Sequence, residues 1–200
     1  MKILILYTPR SGTNSIASYF LKQNPNYEYF NQPFTQYMEP GIRHATYSNI
    51  IKYDNVLVKS DIVSFSKLVI NKEKLISDFD KVLLISRKDK REQSISFMIA
   101  AIHNNYLDNS KRSYFTGGID ENELEKQVKV LENCQNDLEE KYLDAKIPLF
   151  YYEDLFYGDF SELFEYLGIE HKEEHLNEIL DIKNKYKTKG LEKKKINTFL

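Results

Sequence analysis

The segment Tyr7-Thr8-Pro9-Arg10-Ser11-Gly12-Thr13-Asn14-Ser15 carries the residue types of an anion site. Gly12 lets the backbone come close to a ligand, Ser11, Thr13 and Ser15 offer hydroxyls, and Arg10 adds a fixed positive charge. If a helix starts just after Gly12, its first amides point outward and its dipole favours negative charge. An ATP-type phosphate loop needs G-x-x-x-x-G-K-[ST], and no Lys follows Gly12. The plainer alternative is a strand-to-helix turn capped by a Ser or Thr. A second basic group, Arg87-Lys88-Asp89-Lys90-Arg91, precedes Ser94 and Ser96. Its plain alternative is an exposed basic helix start, capped by Asp89.

Short apolar runs must position these residues. Ile3 to Tyr7, Val56 to Val58, Val82 to Ile85 and Leu149 to Tyr152 are bounded by polar residues and suit strands covered on both faces. Helical patterns alternate with them: one after Gly12, one from about Asp89 with Ile95, Ile99, Ile102 and Tyr106 on a stripe, and one from about Asp120 to Leu143. Two more run near Phe160 to Leu167 and Glu173 to Ile182. This alternation predicts an α/β fold, a P-loop-like three-layer domain whose central parallel sheet is flanked by helices, spanning 1–200 as one domain. Arg10 to Asn14 should wrap as a nest at the crevice. The stretch from Asn24 to Asp54 reads as an irregular loop rich in Tyr, Pro and Asn, and loops that long are usually functional.

At these residues the chain resembles the PAPS-dependent sulfotransferases, where PAPS is 3′-phosphoadenosine 5′-phosphosulfate; within them it is similar to a small bacterial or phage type and to the trehalose-type branch. Thr8-Pro9-Arg10-Ser11-Gly12-Thr13 looks like that family's 5′-phosphosulfate loop, T/Y-P-[KR]-S-G-[ST]. The resemblance implies that Arg10, Ser11, Gly12, Thr13, Asn14 and Ser15 hold the 5′-phosphate and that Arg10 stabilises charge on the leaving group. Val82 to Phe97 resembles the 3′-phosphate element, a strand ending in Arg followed by a helix with a Ser eight residues on. That spacing runs from Lys88 to Ser96 in this chain, with Arg87 one residue earlier. Arg offers a bidentate fork and Lys a point charge, so Arg87 with Ser96 is favoured and Lys88 and Ser94 are kept as alternatives.

A third match, Tyr151-Tyr152-Glu153-Asp154-Leu155 followed by Phe164-Glu165-Tyr166-Leu167-Gly168-Ile169, looks like the family's Y-E-D-L … L-G-I segment. It reads as structural: a strand, an N-cap at Glu153 or Asp154, and a Gly C-cap at Gly168. Lys187 to Gly190 and Ile196-Asn197 faintly resemble the family's nucleotide-covering C-terminus; a solvated Lys-rich tail is the alternative. For the general base, the cytosolic branch places a catalytic His where this chain has Asp61, in Val58-Lys59-Ser60-Asp61. Other branches use a Glu where Asn31-Gln32-Pro33-Phe34 has Gln32, with Glu28 and Glu39 flanking. Asp61 ranks first, then Glu28, with Gln32 as a binding residue. The cofactor implied is PAPS as co-substrate, and the acceptor a small molecule or glycan.

Composition narrows the other classes. The 28 basic and 30 acidic residues give a formal net charge of −2, so a nucleic-acid coat is not expected. Charge is nevertheless uneven, acidic from Asp120 to Glu140 and Lys-rich from Lys183 to Lys195. The lone Cys134 makes an internal disulfide impossible, and with no signal or membrane-length apolar segment the expectation is a cytoplasmic chain with no membrane partner. His44, His103, His171 and His175 form no ligand cluster, so no metal is expected. Two other functions remain open: a phosphotransferase on a similar sheet, and a catalytically inactive nucleotide-binding module.

Overall fold

A computed structural model describes residues 1–34, 47–66, 71–102, 119–142 and 147–170, together with Asn177. Five strands form one all-parallel sheet: β1 (Lys2–Tyr7), β2 (Glu28–Asn31), β3 (Val56–Asp61), β4 (Lys81–Ser86) and β5 (Leu149–Tyr151), in the order β2-β3-β1-β4-β5. Eight helices accompany them among the described residues: α1 (Thr13–Gln23), α2 (Tyr47–Ile50), α3 (Ile62–Ser66), α4 (Lys72–Ser77), α5 (Lys90–Ile102), α6 (Glu121–Tyr142), α7 (Tyr152–Tyr157) and α8 (Ser161–Leu167). The sheet flanked by helices is the three-layer α/β arrangement that the alternation of patterns predicts. No described helix is long and apolar enough to cross a membrane.

Strict alternation along the central strands builds the layers. Ile3, Ile5 and Tyr7 of β1, with Leu57, Leu83 and Ile85, face Ile16, Tyr19 and Phe20 of α1 and the aromatic residues of α7 and α8. Leu4 and Leu6, with Val58, Val82 and Leu84, face Phe65, Leu75 and Ile147 on the other side. Phe164 stacks on both Tyr19 and Phe160, with centroids 5.4 and 5.5 Å away. Burying each such ring contributes about 2–3 kcal/mol.

β1 is the topological switch: it pairs with β3 on one side and β4 on the other. Because every strand is parallel, Tyr7, Asn31, Asp61, Ser86 and Tyr151 all end at the same edge of the sheet, where ligands bind in open α/β sheets.

The structure corrects the sequence reading in three places. Glu28 to Asn31 is an edge strand inside the stretch read as an irregular loop, held by parallel pairing with Val56 to Lys59. β3 continues three residues past its apolar run, because Lys59, Ser60 and Asp61 stay in register with Ile5, Leu6 and Tyr7. α7 begins at Tyr152, capped by Tyr151, so Glu153 and Asp154 lie in its first turn and neither is the N-cap. Gly168 ends α8 in the left-handed conformation, φ 73°, as the sequence predicts.

The Tyr166 hydroxyl completes the outer edge of β4 where β5 does not reach. It accepts from Val82 N and donates to Val82 O at 3.2 and 2.9 Å.

Candidate functional site

The turn from β1 to α1 is built as a nest. φ is positive at Arg10 (65°) and at Gly12 (76°), on either side of Ser11, and α1 starts at Thr13. Such sign alternation turns successive amides towards one concavity, and the helix adds the positive end of its dipole. Ser11, Thr13 and Ser15 are buried, and the Ser11 Oγ has no hydrogen-bond partner among the described residues. A buried unpartnered hydroxyl costs free energy unless something else occupies its bond.

Gly12 is required twice over. A Cβ there would lie 2.7 Å from the Phe156 ring and 2.8 Å from the Tyr152 ring. Gly12→Ala is therefore expected to destabilise the fold by about 2–5 kcal/mol, from left-handed strain of about 1–2 and overpacking of about 1–3 kcal/mol. Urea unfolding measures it, and a loss under about 0.5 kcal/mol would show that α7 does not press on the loop.

The two basic motifs meet. Arg10 Nε donates to Ser96 Oγ at 3.1 Å, across 86 residues of chain. Ser94, one turn into α5, is fully buried and its Oγ also has no partner among the described residues. Asp89 caps α5 by accepting from Glu92 N at 2.8 Å.

Arg87 is placed differently from the expectation that pairs it with Ser96. Its side chain is 10% exposed and clamped: Nε reaches Glu153 Oε1 at 3.4 Å and Nη2 reaches Glu92 Oε2 at 3.2 Å. The guanidinium lies 4.5 Å from the centroid of the Tyr152 ring. Burial pushes the Tyr152 phenol up to about 12. Lys88 is half exposed and paired with Asp154. The Tyr-Glu-Asp segment is thus part of the site's wall, because Tyr152 separates Gly12 from Arg87 and Glu153 holds the start of α5.

Lys59 is a buried cation beside the loop that sequence reading passes over. It follows Leu57 by two on β3, so it faces α1, and its Nζ donates to Asn14 Oδ1 while lying 5.1 Å from the Tyr7 ring centroid. It is 2% exposed. Burial lowers its pKa to about 8, against the opposing pull of the Asp61 carboxylate. The alternation of β3 gives the direction of the side chain; nothing local gives the burial.

Between pH 8 and 10.5 the unfolded lysine is protonated and the folded one is not, so stability rises with pH in that window. Lys90, also lowered to about 8 by burial, adds to the same window. At pH 7 Lys59→Met is expected to stabilise the fold by about 1–3 kcal/mol while weakening anion binding. Urea midpoints at pH 7 and pH 10 check this; a less stable variant at pH 7 sinks it.

The proposed bases separate. Asp61 ends β3 on the loop side, and its Oδ1 accepts from Ser64 N at 2.8 Å, capping α3. Glu28 is corrected: it opens β2, level with Val56 and Lys2, at the opposite edge of the sheet and exposed to solvent. The length of the strand separates it from the loop, roughly 10 Å, so it cannot reach a group bound there. Gln32 follows β2 with φ 53°, accepts no basic role, and its Nε2 donates to the buried Tyr7 hydroxyl, whose pKa burial raises.

A polar network below the loop was not legible either. Thr8 Oγ1 and Ser86 Oγ lie 3.1 Å apart, Gln93 Nε2 donates to Thr8 Oγ1 at 2.8 Å, and Ser86 Oγ donates to Gln135 Oε1 at 2.9 Å. These bonds fix β1 and β4 to α5 and α6, and so fix the spacing of the two motifs.

Glu39, the four histidines and the Lys-rich segment 183–195 lie outside the described residues. Among the described residues no His, Cys, Asp and Glu cluster could hold a metal. No protein-family model matches this chain, and no curated protein does.

Proposed function

We propose that this chain is a cytoplasmic sulfotransferase that moves a sulfuryl group from PAPS to a hydroxyl or amine of a small-molecule or glycan acceptor. The observation that carries the reading is the Arg10 Nε to Ser96 Oγ bond, which joins the loop resembling a 5′-phosphosulfate site to the helix resembling a 3′-phosphate site. The nest at Arg10 to Gly12 and the unpartnered hydroxyls of Ser11 and Ser94 fit an anionic nucleotide.

PAPS supplies the transferable group: the acceptor oxygen bonds to sulfur, the sulfur–oxygen bond to the 5′-phosphate breaks, and the acceptor proton must leave. In this chain the loop amides with Ser11, Thr13 and Ser15 bind the 5′-phosphate. Arg10 opposes negative charge growing on it. Lys59, held by Asn14, adds a second cation at the same edge. Asp61 takes the acceptor proton. Gln32, held on the buried Tyr7 hydroxyl at the same edge of the sheet, is the residue left to position the acceptor.

One observation favours a second reading, an inactive nucleotide-binding module: Gln32 stands where a base is found in other branches, and its carboxamide is engaged by Tyr7. Calorimetry with adenosine 3′,5′-bisphosphate against ATP, then transfer from labelled PAPS to an acceptor panel, decides among these. Preference for the bisphosphate with transfer supports the enzyme. Binding without transfer to any acceptor supports the module, and preference for ATP overturns both.

A further inference from the structure

The start of α5 already holds an anion of its own. Glu153, from the first turn of α7, presents Oε2 to Lys88 N at 2.8 Å and Oε1 to Asp89 N at 3.3 Å and Arg87 Nε at 3.4 Å. Two consecutive amides and a guanidinium around one carboxylate make the same donor set that a phosphate takes at a helix N-terminus. Burial alone raises the Glu153 pKa, but the amides of Lys88, Glu153 itself and Asp89, with Arg87, overcome it and leave it lowered. The carboxylate is therefore charged across the neutral range.

The surrounding charge is balanced without a ligand. Arg87 is shared between Glu153 and Glu92, and Lys88 is paired with Asp154. Lys90 feels both Glu153 and Glu139. A dianionic phosphate arriving at Arg87 to Asp89 finds its donors taken and a like charge in the way, which opposes its binding.

We propose that the Glu153 carboxylate is the anion that a nucleotide's 3′-phosphate displaces from the Arg87–Asp89 cradle, so that Glu153 sets how strongly this chain separates 3′-phosphorylated nucleotides from 5′-phosphates. The proposal rests on the nucleotide reading of the site. It assigns Glu153 a specificity role that the Tyr-Glu-Asp segment, read as structural, does not give it. Glu92 is the weaker competitor, because its side chain is 54% exposed and touches Arg87 alone among these donors.

The test compares adenosine 3′,5′-bisphosphate with adenosine 5′-phosphate by calorimetry on wild type, Glu153→Gln and Glu92→Gln. The carboxamide keeps an oxygen for the amides but removes the charge. Glu153→Gln is expected to tighten the bisphosphate about tenfold and leave the 5′-phosphate within about twofold. Glu92→Gln should move the bisphosphate by less than about threefold. Equal shifts for both ligands, or a weaker bisphosphate in a Glu153→Gln protein with a wild-type melting temperature, overturn the proposal and leave Glu153 a structural clasp. Glu153→Asp serves if Glu153→Gln melts early: a shorter carboxylate that leaves the ligand preference unchanged also overturns it. Wild type that binds neither nucleotide overturns the nucleotide reading itself, and this proposal with it.

Discussion

Arg10→Ala should lower turnover by about a hundred- to a thousandfold while nucleotide affinity falls far less. The guanidinium lies at the nest with its Nε on Ser96. In the proposed reaction it meets the 5′-phosphate as a bound diester-like group in the ground state and as a leaving group with more charge in the transition state. Only the difference between those two contacts accelerates the reaction. Backbone strain does not confound the comparison, because Arg and Ala both carry a Cβ at the same φ of 65°. Arg10→Lys keeps the charge and loses the planar fork, so its rate should fall between the two. Single-turnover release of labelled nucleotide, with the acceptor that the panel identifies, gives the rate; calorimetry gives the affinity. Equal losses in both would make Arg10 a binding residue only.

Asp61→Asn tests the proton acceptor. Asn keeps an oxygen for Ser64 N, so the α3 cap survives and stability should stay near wild type. Removing basicity should cost on the order of a hundredfold or more in rate, with nucleotide affinity unchanged. In the proposed reaction Lys59 shapes the other limb of the profile. Its pKa is near 8, so a rate that needs the ammonium should decline as pH rises through that value. Asp61→Asn removes the carboxylate that holds the Lys59 pKa up, so that alkaline limb should persist and move to lower pH. A variant with close to full turnover would show that positioning of the acceptor, and not proton removal, carries the rate.

What could be read from the sequence was local. Ile3 to Tyr7 declares a buried strand because five apolar residues stand in a row, and Pro9 to Ser15 declares an anion loop because its glycine, hydroxyls and arginine are adjacent. Glu28 to Asn31 declares nothing: Glu-Tyr-Phe-Asn becomes a strand only because β3 offers a free edge to pair with. The same limit explains Arg87. Its type and position after β4 mark it as an anion binder, but its occupation by Glu153 depends on a residue 66 positions away. Lys59 was visible only as a neighbour of Asp61, since burial of an ammonium is a property of α1 packing over β3 rather than of any short pattern. Asp61 was legible at the end of a strand and Glu28 only as part of a loop; the parallel pairing of β2 with β3 is what puts Glu28 at the far edge of the sheet.

The cover that Tyr152 and Phe156 place on Gly12 also fixes when the site can exist during folding. β1 is made first yet sits in the middle of the sheet, and its second neighbour, β4, begins at Lys81. Each of these pairings closes a long loop before it gains a contact, which makes parallel sheets slow to form. The anion loop then waits for α7, because the aromatic rings against Gly12 and the Glu153 contacts to the start of α5 both come from that helix. During synthesis the anion-binding residues emerge well before α7, so a nascent chain exposes β1 and its apolar faces until α7 and α8 have been made.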